Sequence, residues 1–167
     1  MANETVQFVR VAVKISTLVT GSDGAQLVKS ISYDKTFTDG TGTDQVGAVW
    51  NDDTRSLAST TETLDLDGLT DFKGATMSDN NAVKVFCIIN NETATGKKLI
   101  VGGGDWAAAT MMLVDSTDKI NIGPGGILLA VSPVDGYTVT ASTGDGLLLD
   151  SGSNTVSFSP FIAFDNA

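Results

Sequence analysis

Val6-Gln7-Phe8-Val9-Arg10-Val11-Ala12-Val13-Lys14-Ile15-Ser16-Thr17 is the stretch on which the fold turns. Val9, Val11, Val13 and Ile15 fall on one side of an extended chain and Arg10, Ala12, Lys14 and Ser16 on the other, which is the period-2 alternation of a half-buried strand. Residues Leu27 to Phe37 repeat the pattern with Leu27, Ile31, Tyr33 and Phe37 on one side. Between the two runs stands the turn-forming Gly21-Ser22-Asp23-Gly24, so the pair reads as a long hairpin.

After the hairpin, Asp39-Gly40-Thr41-Gly42-Thr43-Asp44 is a connection, since Gly and Asp there favour turns over a regular element. Val46 to Trp50 and Thr61 to Leu66 follow as strands, with Leu64 and Leu66 inward, Asp65 outward and a turn at Asp67-Gly68. Val83 to Ile89 is almost continuously apolar, as expected of a central strand covered on both faces. Lys98 to Val101, Lys119 to Ile122, Ile127 to Val131, Tyr137 to Ala141, Leu147 to Asp150 and Thr155 to Phe164 are short strands bounded by Gly, Pro, Asn or Asp. The spacing predicts an all-β antiparallel sandwich, jelly-roll-like, with at most one short helix, at Asp105 to Leu113.

With 167 residues the chain is long enough for one domain with a sizeable core and needs no disulfide or metal staple. Residues 1–20 form the N-terminal strand and a possible extended arm, and residues 21–167 the sandwich body. A terminal amphipathic strand can complete a sheet on a neighbouring molecule by strand addition. Hydrophobic residues are 41% and charged residues 18% of the chain, which excludes a compositionally disordered protein. No apolar run approaches the length of a membrane-spanning helix.

Histidine is absent, which removes the usual neutral-pH general base, Ser/His/Asp and Cys/His triads, and imidazole zinc sites. Twenty acidic residues against ten basic ones give a formal charge of -10, a field that repels phosphate backbones and keeps the protein dispersed. The lone Cys87 lies in the apolar run Val83 to Ile89, the setting of a small buried hydrophobe and not of a nucleophile. Asn3-Glu4-Thr5 and Asn91-Glu92-Thr93 match the glycosylation sequon, but Met1 to Thr5 has no basic n-region, and the chain reads as made in the cytosol and left unmodified.

Gly102-Gly103-Gly104 and Gly123-Pro124-Gly125-Gly126 meet neither the P-loop nor the dinucleotide pattern and read as tight turns. Asp65-Leu66-Asp67-Gly68 lacks the spacing of a calcium loop. Trp50, Trp106 and Met111-Met112 are the large side chains nearest loops, placed either as interface anchors or as caps on the core. The last strand carries Val156, Phe158, Ile162 and Phe164 on one face and Phe161 on the other, with Pro160 between. Proline there predicts an edge strand or a bulge, with a neighbouring subunit covering one of its apolar faces.

Val49-Trp50-Asn51-Asp52-Asp53-Thr54-Arg55-Ser56-Leu57-Ala58, Glu62-Thr63-Leu64-Asp65-Leu66, Leu99-Ile100-Val101-Gly102-Gly103, Ile122-Gly123-Pro124-Gly125-Gly126-Ile127-Leu128-Leu129 and Gly136-Tyr137-Thr138-Val139-Thr140 occur in that order. The series resembles a family of small virion structural proteins of tailed bacteriophages, which carry W-x-D-T-R-x-L-A, D-L-D-L, L-T-V-G-G, R-P-G-G and G-Y-x-V-T. It covers most of Gln45 to Phe164, with an extra acidic residue in Asn51 to Arg55 and Ile122-Gly123 where the family often has a basic residue.

The resemblance implies a virion protein without catalytic residues, cofactor or metal: a decoration or cement protein on the outer surface of the capsid. Its partners are then the major capsid protein and further copies of itself, a homotrimer at local threefold positions, with no nucleic acid and no membrane. The interface implied comprises Val6, Phe8, Val9 and Val11 of the N-terminal arm, Trp50, Arg55, Trp106, Met111 and Met112 near loops, and Phe158 and Phe161 of the last strand. Deleting Met1 to Arg10 is expected to abolish attachment or oligomerisation. A tail, neck or fibre-base component is the alternative, and a carbohydrate-binding module or carbohydrate-active enzyme with Trp50 or Trp106 as a sugar platform the third reading.

Overall fold

A computed structural model describes residues 6–70, 76–77, 80–106, 113, 115 and 117–166. The described residues form an all-β protein of three sheets, with antiparallel pairing throughout except for one two-residue parallel contact. The strands are β1 (Phe8–Thr20), β2 (Gln26–Asp39), β3 (Gln45–Val46), β4 (Ala48–Asn51), β5 (Arg55–Ala58), β6 (Thr61–Asp65) and β7 (Asn80–Asn90). They continue as β8 (Leu99–Val101), β9 (Ile120–Ile122), β10 (Ile127–Val131), β11 (Tyr137–Thr138), β12 (Gly146–Asp150) and β13 (Thr155–Asn166).

Two sheets make the sandwich. The larger runs β10-β7-β13-β4, with β11 also on β7 and β5 also on β13, and the smaller runs β6-β12-β8-β9. Alternate residues of both turn inward and meet in one core: Trp50, Phe86, Ile88, Phe158, Ile162 and Phe164 from the larger sheet, and Leu64, Leu99, Val101, Leu147 and Leu149 from the smaller. The outer face of the larger sheet holds a second apolar cluster, in which Val85 and Ala163 pack with Val9, Val11, Phe37 and Val46. The base of the β1–β2 hairpin is thus a third layer on part of the sandwich.

The hairpin is fixed as its alternation requires. Thirteen residue pairs run from Phe8↔Thr38 to Thr20↔Gln26. The turn is closed by Gly24 N–H to Gly21 O (3.0 Å) and Gly21 N–H to Ala25 O (2.7 Å), while Asp23 Oδ1 accepts the Ala25 N–H (3.0 Å). The expected arm at residues 1–20 is therefore one strand of a two-stranded ribbon covering Phe8 to Asp39; Met1 to Thr5 lie outside the described residues.

The last strand departs from expectation. β13 is not an edge but the centre of the larger sheet, between β7 and the broken strand β4/β5, with register shifts after Ala163 and Asp165. Pro160 is tolerated because its missing donor would point toward the gap between β4 and β5, where Asp52 N–H reaches the Pro160 carbonyl (3.2 Å). Both faces of the strand are covered within this chain: Phe158 and Ile162 lie in the sandwich core, and Phe161 packs against the cluster under the hairpin.

Asp105 and Trp106 are not helical, and apart from Leu113 the rest of the expected helix lies outside the described residues. Asp105 Oδ1 instead accepts the Gly146 N–H (2.6 Å). At Gly104 an added Cβ would collide with the Gly146 backbone, so the glycine run before Asp105 permits the loop to press against β12. Asn90, fully buried at the end of β7, donates to the carbonyls of Ile122 (2.9 Å) and Lys97 (3.0 Å) and accepts the Glu92 N–H (3.1 Å), which ties three connections together.

Candidate interaction surfaces

Arg55 begins β5 and faces β6, and each of its three guanidinium nitrogens is engaged within the chain. Nε donates to Glu62 Oε2 (3.0 Å), Nη2 to Glu62 Oε1, and Nη1 to Asp52 Oδ2 (3.1 Å). The same group lies over the Trp50 ring, 5.7 Å from its centroid. These hydrogen bonds, first that to Glu62, raise the Arg55 pKa further above its already high value, so the charge is permanent. Trp50, Asp52, Arg55 and Glu62 are thus a self-satisfied buttress at the β4–β5 break.

Trp106 is also internal. Its indole N–H donates to the Thr138 carbonyl (2.9 Å) and its ring packs against Phe86 with centroids 5.9 Å apart. The two tryptophans therefore cap the core, the second of the two roles open to them, and neither offers a ring to a partner or a sugar. The same correction applies to Val9, Val11 and Phe158, which are buried, while Arg55 is half-buried and held by three hydrogen bonds within the chain. Val6 and Phe161 are partly buried against the second cluster. Of the described interface candidates only Phe8 is widely exposed; Met111 and Met112 lie outside the described residues.

The exposed apolar surface lies elsewhere. On the hairpin face that carries Val9, Val11 and Phe37, the outward continuation is Val13↔Tyr33, Ile15↔Ile31 and Val19↔Leu27. Ile31 is 76% and Ile15 67% exposed, and Tyr33, Val19 and Leu27 are exposed as well. An open apolar depression on the ribbon is lined by Ile15, Thr17, Lys29, Ser30 and Ile31. Near the tip Leu18 and Val28 stand exposed on the opposite face. The signal for this was present in the sequence: Leu18-Val19 opposite Leu27-Val28 places apolar groups on both faces of one ribbon end, which no single covering layer could bury.

A second bare patch lies on the outer face of the larger sheet, beyond the hairpin base. Ile89 and Ile127 are paired there across β7 and β10 and both are exposed, the latter by 60%. Cys87 shares this face, half-buried between Leu129 and Phe161, and burial pushes its thiol pKa up.

Several further polar side chains are engaged within the chain. Lys84, buried at an irregularity in β7, pairs with Asp165 (3.0 Å) and donates to the Val134 carbonyl (2.6 Å). Asp65 and Asp67 accept backbone N–H groups of Asp67 (3.1 Å) and Asn80 (3.2 Å). Among the described residues no group of three His, Cys, Asp or Glu converges as a metal site, and no helix is long and apolar enough to cross a membrane. No protein-family model and no curated protein matches the chain.

Proposed function

We propose that the chain is a non-enzymatic virion structural protein, a decoration or cement protein that docks as a homo-oligomer on the outer surface of an assembled bacteriophage capsid. The observation that carries the reading is the β1–β2 ribbon, whose apolar side chains are left uncovered over its outer half. An isolated two-stranded hairpin is marginal in water, and a bare apolar surface of this extent marks an association site. A strongly acidic, dispersed body that joins a repeating lattice through a projecting apolar element suits a protein made soluble and then assembled in many copies. The motif series from Val49 to Thr140 supports the same reading through its resemblance to phage virion proteins. A sugar platform finds no support, because Trp50 and Trp106 are both buried.

The test is the copy number of the protein in purified particles, with heads and tails separated and quantified by mass spectrometry. Abundance near that of the major capsid protein in the head fraction is expected. A few copies in the tail fraction would replace this reading with a tail, neck or fibre-base component, and absence from particles would overturn both.

A further inference from the structure

We propose that the free half of the ribbon's apolar stripe seats on the uncovered outer face of the larger sheet of a second copy of this chain. The inference deepens the self-association in the proposed function and names the surfaces that make it; docking on a capsid is a separate matter.

Three observations choose the occupant. The stripe already has a demonstrated seat: its inner third, Val9, Val11 and Phe37, packs on the outer face of the larger sheet, against Val85 and Ala163. Both halves of that contact then continue past the point where they meet. The stripe runs on as Ile15, Ile31, Val19 and Leu27, and the sheet face runs on as Cys87, Ile89 and Ile127, each left partly or largely exposed. One chain therefore carries two unfilled surfaces of matching chemistry, and the ribbon of each copy can fill the sheet face of the next.

Charge is the third. Residues 6–39 hold four basic and three acidic side chains, whereas the remainder holds six basic and seventeen acidic. A ribbon with a slight positive excess, including Lys29 on the stripe itself, meets an acidic body in trans with attraction, whereas ribbon against ribbon or body against body does not. Passed from each copy to the next, the ribbon-on-sheet contact is head-to-tail and closes into a ring where the rotation permits, in keeping with a trimer.

The experiment uses the full-length chain without capsids. Sedimentation velocity of the wild type is expected to show a discrete oligomer, and Ile31→Asp and Ile127→Asp are each expected to return it to monomer with an unchanged circular dichroism spectrum. Ile31→Cys and, separately, Leu27→Cys are oxidised in the presence of the native Cys87. Inter-chain disulfides that disappear in the Cys87→Ser background are expected. A monomeric wild type overturns the inference while leaving the capsid reading to the particle copy number. Disulfides that persist without Cys87, or an oligomer indifferent to Ile127→Asp, would show ribbon meeting ribbon and overturn it equally.

Discussion

The Arg55 guanidinium spans the gap between two walls of the sandwich, held by Glu62 of β6 while it covers the ring of Trp50 in β4. Arg55→Lys keeps the charge but loses the planar fork and the stacking. Arg55→Ala also strands Glu62 and Asp52, and a loss of about 1–3 kcal/mol is expected. Urea midpoints of the two variants check this, with lysine the milder.

Gly104→Ala tests the close approach of its loop to β12. The added methyl meets backbone atoms of Gly146 and Leu148, which cannot rotate aside as a side chain would. A loss of about 1–3 kcal/mol is expected, read as a lowered thermal midpoint. Gly123, where an added Cβ meets nothing within 4 Å, serves as the control and should tolerate alanine.

Asn90→Leu leaves the carbonyls of Ile122 and Lys97 without the donor they now share. The expected cost is about 3 kcal/mol, from buried acceptors left unpaired. Amide exchange should accelerate first around Gly125 and Gly126, whose backbone pairs with that of Asn90.

Glu92 sets an acid limit on stability. Its carboxylate is held below the usual glutamate range, first by the hydrogen bond from Lys97 Nζ (2.9 Å) and then by the Ser157 N–H (2.9 Å). Its contribution is present above the unfolded pKa and is lost as pH falls through the lowered folded value. Thermal midpoints recorded down an acid series should decline less steeply in Glu92→Gln than in the wild type.

Cys87 should alkylate slowly. With its pKa pushed up by burial, the thiolate forms only above the usual thiol range, so the rate should keep climbing where that of a free cysteine has levelled. Denaturant should abolish the difference, as followed by mass spectrometry.

Alternation made most of the strands legible, from the hairpin to Leu64 and Leu66 inward and Asp65 outward. Val83 to Ile89 declared itself central because both of its neighbours are strands of the same sheet. Pro160 misled because the chain announces a missing donor locally, while the gap that accommodates it is made by Asp52 and Asp53, a hundred residues earlier. The tryptophans stayed undecided for a similar reason: closeness to loops is a property of sequence, whereas the layers above Trp50 and Trp106 come from distant strands. Alternation alone did not show the ribbon bare, because a strand half-covered by its own chain and one awaiting a partner have the same period; that signal lay only in Leu18-Val19 opposite Leu27-Val28 at the tip.

The central place of β13 has a consequence for synthesis. β4, β5 and β7 are all assembled on β13, which follows them in the chain, so the larger sheet cannot close while the ribosome is still making residues before Thr155. The hairpin, by contrast, contacts itself across a short span of sequence and is complete once Asp39 has emerged. In a nascent chain the ribbon therefore lacks the sheet that seats its base until β13 is made, and the sandwich closes in one late, non-local step.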